Sequence, residues 1–206
     1  GIEKNISIAM DLDGSTGFKY IRDIRSLDDF NGVWNLRIND LGDEFMISSN
    51  QMGPFPEGLQ VGLVNINERK VLLNFLDHKE VILNNKNSVY DLKVIAGDQE
   101  YVKSMSQEIL SSIPEEFSLG QNYPNPFNPI TQMEYSLPQS SKVVISIYNV
   151  LGQEIKSLIN KEQDYGYHSV SWDGTDRLGK SVASGVYFTQ MRSGGFSQSK
   201  KMLLLK

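Results

Sequence analysis

Proline crowding divides this chain before anything else in it can be read. Five of its seven prolines lie between Pro114 and Pro138, and Pro124, Pro126 and Pro129 fall within six residues. Proline has no amide hydrogen and fixes φ, so neither a helix interior nor a central strand can run through that stretch. It reads as an extended, polyproline-like linker leading into a new domain. Just upstream, Ser104 and Gln107 have capping-box spacing, Ile109, Leu110 and Ile113 share a face, and Pro114 stops the pattern. This spacing predicts a short helix over residues 104–113. The boundary belongs near residues 112–122, and 206 residues leave room for two small domains. The division is a β-sandwich accessory domain over 1–112, a linker with its Pro-Asn-Pro lead-in over 113–129, and an immunoglobulin-like domain over 130–206.

Both halves carry strand-like patterning. Upstream, Trp34–Ile38 and Leu59–Leu63 alternate apolar and polar, the second after a Pro54–Gly58 turn. Val71–Phe75, Val81–Leu83 and Tyr90–Ile95 follow at roughly ten-residue spacing, which suggests an antiparallel sandwich. Downstream, strands are predicted at Thr131–Tyr135, Val143–Tyr148, Glu154–Ile159, His168–Trp172, Gly185–Thr189 and Phe196–Leu205. Leu151-Gly152, Asp173-Gly174-Thr175-Asp176 and Ser193-Gly194-Gly195 supply turns. Six or seven strands in some ninety residues is the count of an immunoglobulin-like sandwich. Val170 and Trp172 share a face, and Trp172 is the expected core anchor because an indole buries so much apolar area. The fold class is all-β, two tandem antiparallel sandwiches.

Composition narrows the function classes. Hydrophobic residues make up 39% and charged residues 22%, as in folded proteins. No apolar run is long enough to span a membrane as a helix. A net charge of -5, with no clustered Lys/Arg stripe, argues against nucleic acid. The chain has no cysteine, so disulfides, thiolate metal sites and a Cys nucleophile are out. Gly1-Ile2-Glu3-Lys4 leads straight into strand-like sequence without a signal peptide, which suggests the C-terminal part of a longer protein.

Little in the sequence points to catalysis. The histidines, His78 and His168, fall in different domains, and no Gly-x-Ser-x-Gly elbow accompanies them. Asp11-Leu12-Asp13-Gly14-Ser15 has alternating carboxylates before a glycine turn, so Asp11 and Asp13 are weak candidates for a calcium site, although further loop ligands are missing. Asp173-Gly174-Thr175-Asp176 offers a similar, weaker pattern. Asp28-Asp29, Asp43-Glu44 and Glu115-Glu116 are adjacent, which in a strand sends them to opposite faces and spoils acid/base pairing. No phosphate loop or dinucleotide fingerprint is present. The chain is expected to be non-catalytic and to need no cofactor. Tyr20, Phe30, Trp34, Phe45 and Phe55 would serve a sugar-binding face if their rings stood in water, though most aromatics at strand positions are core.

Five pieces then occur in order: Leu119-Gly120-Gln121-Asn122-Tyr123-Pro124-Asn125-Pro126-Phe127-Asn128-Pro129, Ile147–Gly152, Trp172-Asp173-Gly174, Gly185-Val186-Tyr187, and Lys200-Lys201-Met202-Leu203-Leu204. Together, from about Glu115 to Lys206, they resemble the type A C-terminal sorting domain of the type IX (Por) secretion system, related in fold to the immunoglobulin-like domain of flagellar hook-capping proteins. Residues 1–112 carry no such resemblance.

The resemblance implies an export address on a secreted or cell-surface bacterial protein that passes through the periplasm. Its partners would be the outer-membrane translocon and a sortase-like peptidase that commonly removes the domain, leaving cargo released or attached to lipopolysaccharide. Recognition is carried by the family's Gly-x-Tyr segment and basic, apolar terminal strand, here Gly185, Tyr187, Lys200, Lys201, Met202, Leu203 and Leu204. The Pro-Asn-Pro motif maps to Pro124, Asn125 and Pro126. Gly152, Trp172, Asp173 and Gly174 define the fold. A channel could read such a terminal strand by edge pairing. The competing expectation is an adhesive or carbohydrate-binding sandwich whose second domain is purely structural. The activity of the complete cargo is expected to belong to residues outside this chain.

Overall fold

The computed structural model describes residues 31–37, 57–72 and 90–206 with their side chains, and the backbones of the strands at 6–10, 19–23, 38–39, 44–48, 80–84 and of Val89. The chain divides into two compact units, Gly1–Ser111 and Ser112–Lys206.

In the first unit the alternating runs become antiparallel ladders. Strands β1 (Ile6–Met10) and β2 (Lys19–Asp23) pair, as do β4 (Glu44–Ser48) and β7 (Glu80–Asn84). The remaining strands, β3 (Gly32–Asn39), β5 (Gln60–Asn65), β6 (Lys70–Leu72) and β8 (Val89–Gly97), build a four-stranded sheet in the order β3-β8-β5-β6. Trp34, Leu36, Leu63, Leu92 and Val94 are buried. The helix α1 spans Gln99–Ser112 and so begins earlier than the expected residue 104. Its cap is Asp98, not Ser104: the Asp98 Oδ1 accepts the amide hydrogen of Tyr101 at 2.8 Å. Val102, Ser106 and Ile109 form its buried face at helical spacing. Near its end the Leu110 carbonyl accepts a hydrogen bond from Arg69 Nη2 at 2.9 Å, which ties the helix to the turn before β6.

The second unit is an antiparallel sandwich. One sheet joins β9 (Ser118–Leu119), β10 (Thr131–Leu137) and β13 (Gly166–Trp172) in the order β13-β10-β9. The other joins β11 (Ser141–Asn149), β12 (Glu154–Gln163), β14 (Gly185–Ser193) and β15 (Phe196–Leu204) in the order β12-β11-β14-β15. Alternation decides which residues meet: Met133, Leu137, Val143, Ile145, Ile147 and Met191 point inward and are fully buried. The all-β antiparallel class expected from the sequence is the one found.

Residues 113–129, expected to be a linker, belong instead to this sandwich. Phe127 is 2% exposed and sits in the core cluster, and Phe117 packs against it. Tyr123 bridges Gln132, with both backbone hydrogen bonds formed at 2.8 and 3.0 Å. Phe127 bridges Leu204 in parallel. Prolines at 124, 126 and 129 do forbid a continuous ladder, but they leave the amides of Tyr123, Asn125 and Phe127 free to bond one at a time. An interrupted strand therefore runs where a linker was anticipated.

Asp11, Asp13 and the surrounding loop, His78, Leu73–Phe75 and the side chains of Tyr20, Phe30, Phe45 and Phe55 lie outside the described residues, as do Asp28, Asp29, Asp43 and residues 54–56 of the anticipated turn.

Candidate functional site

Trp172 closes β13 and is 1% exposed. Its ring stands edge-on to Tyr187 at 5.0 Å between centroids and tilts against Phe127 at 5.5 Å. Such tilted contacts suit the ring quadrupoles and add to the area each ring buries. The indole Nε1–H donates to the Thr175 carbonyl at 2.9 Å, so the buried polar atom is satisfied. The turn after Trp172 is built by Asp173, whose Oδ1 accepts from Thr175 Oγ1 at 2.6 Å and from Lys156 Nζ at 3.0 Å. These bonds, the Thr175 hydroxyl first, hold the Asp173 carboxyl below its ordinary pKa. Asp173 is committed to the turn, and no metal-holding cluster occurs among the described residues.

Gly174 lies at φ +67, and a Cβ there would stand 3.2 Å from the Pro129 carbonyl and 3.5 Å from a Leu204 methyl. Backbone from the proline segment and side chain from the last strand thus converge on one glycine. Gly152, the other predicted turn glycine, takes φ +74 in the β11–β12 turn with open space around it. That turn is organised by Asn149, whose Oδ1 accepts the amides of Leu151 and Gln153, each at 3.0 Å.

Gly185 and Tyr187 begin β14, and Lys200 to Leu204 end β15. The two strands pair antiparallel along their whole length, with Gly185 opposite Leu204 and Tyr187 opposite Met202. The structure therefore brings together the predicted recognition residues in a single hairpin. Burial separates them into two kinds. Tyr187, Met202 and Leu204 face the core, and Tyr187 is 7% exposed with its hydroxyl donating to the Ala183 carbonyl at 2.8 Å. Burial raises the pKa of that phenol. Lys201 is exposed, Lys200 and Leu203 are half-buried, and neither lysine forms an ion pair among the described residues.

β15 is the edge strand of its sheet, and its outer row of backbone groups is partly taken by the protein's own chain. Asn125 Oδ1 accepts the Leu203 amide hydrogen at 3.0 Å. Phe127 donates its amide to the Leu203 carbonyl at 3.0 Å and accepts from Leu205 at 2.9 Å. Gln121 Nε2 donates to the Lys201 carbonyl at 2.8 Å. The Asn125 side chain thus supplies an acceptor between two prolines that have no amide to give the edge. A sequence reading finds the motif but has no periodicity from which to read this use of it. Tyr123 itself is 83% exposed, and Asn122 is buried, donating to Thr131 Oγ1 and to the Pro124 carbonyl, each at 2.9 Å.

His168 is half-buried, stacks on Tyr135 at 5.3 Å and bonds the Asp164 carbonyl through Nε2, an arrangement that holds a strand end. Trp34, a candidate ring for sugar stacking, is buried in the first unit and presents no platform.

Residues 130–195 match the family model of the FlgD Ig-like domain. Among solved structures the chain is similar to FlgD from P. aeruginosa, with 18% identity and a TM-score of 0.32, covering 45% of this chain and 71% of that one. It is also similar to PorZ, described as an essential bacterial surface component of the type-IX secretion system of Porphyromonas gingivalis, with 15% identity and a TM-score of 0.31, covering 55% of this chain and 14% of PorZ. Dimeric latent PorU from the same organism matches at 16% identity and a TM-score of 0.36, over 75% of this chain and 13% of PorU. No curated protein matches the chain. The second unit, Ser112–Lys206, is thus an immunoglobulin-like sandwich of two antiparallel sheets, with the family match spanning its residues 130–195.

Proposed function

We propose that the second unit is a type IX export address, recognised as a folded domain by the outer-membrane translocon of a bacterium in which this protein is secreted or displayed at the cell surface. One observation carries the reading. Motif pieces scattered over some eighty residues, from Asn125-Pro126-Phe127 through Trp172-Asp173-Gly174 and Gly185-Val186-Tyr187 to Met202-Leu203-Leu204, meet around a single indole and along a single strand. A catalytic site needs convergent reactive groups, whereas an address needs a surface of fixed shape. The motif residues supply the second: core anchors that fix the end of β15, and on it Lys200 and Lys201, which form no ion pair among the described residues. A peptidase that removes the domain, with release or lipopolysaccharide attachment of the cargo, belongs to the same proposal, as do the non-catalytic character of the chain and an accessory role for the first unit.

The test is export of a reporter. The full chain, fused behind a cleavable leader and a fluorescent protein in a host with the type IX machinery, carries the reporter to the medium or cell surface. Replacing residues 196–206 by a flexible tail leaves it in the periplasm. Equal export of both fusions would refute the address.

A further inference from the structure

The terminal hairpin is electrically unlike the rest of the chain. Between Arg177 and Lys206 there are six Lys or Arg residues and no Asp or Glu, within a chain of net charge -5. The cations do not form a run, so a scan for a basic stripe passes over them; folding gathers Arg192, Lys200 and Lys201 onto one hairpin. Successive strand side chains point to opposite faces, so Lys200 and Lys201 stand on either side of the outer edge of β15. Neither has a carboxylate partner among the described residues.

That edge is bonded through its backbone over only half its length; beside the other half the chain's own segment packs against β15 side chains alone, Leu119 donating its amide to Gln198 Oε1 at 2.9 Å and Phe117 stacking on Phe196 at 5.7 Å. The row of outward backbone groups runs through Lys201, Leu203 and Leu205, which meet Gln121, Asn125 and Phe127. With a period of two and no register shift in the β14–β15 ladder, Ser197 and Ser199 belong to the same row. Both residues are exposed, and their backbone groups on that side meet no described residue of this unit. Open edges are templates for another strand, and an exposed lysine is the usual deterrent. Here two lysines bracket the edge without neutralisation, which deters a cationic strand and attracts an anionic one.

We infer that the edge from Ser197 to Lys201 accepts an extended acidic segment of a partner by strand addition, main-chain hydrogen bonds supplying affinity and adjacent carboxylates engaging Lys200 and Lys201. Gln121 already holds the Lys201 carbonyl, so the open backbone runs from Ser197 to the Lys201 amide, about 13 Å of strand. The Asn125–Phe127 cover sets where the added strand must stop. This deepens the export reading and rests on it: the added strand belongs to the translocon side.

Two measurements decide it. A ten-residue peptide of alternating Thr and Val with a central Asp-Glu pair is titrated into the full chain at low salt. At a concentration ten times its Kd, the amide exchange of Ser199 and Lys201 slows roughly tenfold, and a Lys-Lys version of the peptide has no effect. Ser199→Pro, at an outward position where the ladder to β14 needs no amide, keeps the fold and abolishes the protection. Lys200→Glu with Lys201→Glu weakens binding at least about tenfold and removes its salt dependence. Absence of protection in a folded chain, or protection that survives Ser199→Pro, overturns the inference. So does binding only to vesicles containing anionic lipid, which would make the hairpin a lipid contact. In the export assay, failure of the unaltered fusion sinks the address itself. Normal export of both the unaltered fusion and the Ser199→Pro fusion sinks only the strand addition.

Discussion

Trp172, Gly174 and Thr189 show how much of the second unit is decided by single side chains. The indole was legible in advance because nothing else in that half is as large, and it sits where expected. Gly174 and Gly152 looked alike in the sequence, each a turn glycine, but their surroundings differ. Both need positive φ, which costs an L residue on the order of 1–2 kcal/mol, yet only Gly174 is also pressed by the Pro129 carbonyl and Leu204. Gly174→Ala is therefore expected to lower stability by about 2–3 kcal/mol and Gly152→Ala by about 1 kcal/mol, compared by urea denaturation followed at Trp172. Thr189 was not legible at all. It lies on β14 facing the core, fully buried, and its hydroxyl has no hydrogen-bond partner among the described residues. A buried unpaired hydroxyl is unfavourable, and valine has the same shape without it. Thr189→Val is expected to raise stability by about 1 kcal/mol, visible as a higher denaturation midpoint at unchanged slope.

At the scale of elements, period-two alternation identified the strands of the second unit within a few residues, because one face of each is buried and the other wet. The same reasoning missed what the proline segment does. Its pairing is carried by a side-chain amide and isolated backbone groups, and neither leaves a period. The start of α1 was missed for a similar local reason: Asp98 and Ser104 are both acceptable caps, and only packing of Val102, Ser106 and Ile109 chooses the longer helix. Asn125 is the element-scale test. Asn125→Ala removes the acceptor of the Leu203 amide at an exposed edge, so its cost is about 1 kcal/mol. The Leu203 amide should then exchange roughly fivefold faster, while the Met202 amide, directed at β14, keeps its protection. If both amides accelerate together, the segment stabilises the whole strand rather than capping its edge.

For the whole molecule, the sequence conveyed β-rich patterning in both units and an ordered set of motifs, but it set residues 113–129 apart as a linker where they belong to the second sandwich. It conveyed less of the site, because recognition residues in a list do not say which are core and which are surface. Folding makes that distinction: Tyr187, Met202 and Leu204 fix the hairpin from inside, whereas Lys201 is exposed and Lys200 half-buried at the edge of β15. The charge segregation that accompanies this is a property of the last thirty residues and vanishes in the chain average. The most direct test of the account replaces the terminal strand in a leader-bearing reporter fusion of the full chain and follows fluorescence across the outer membrane of a type IX host. The account predicts reporter outside the cell with the intact strand and trapped in the periplasm without it. Reporter found outside the cell in equal amounts from both would contradict it.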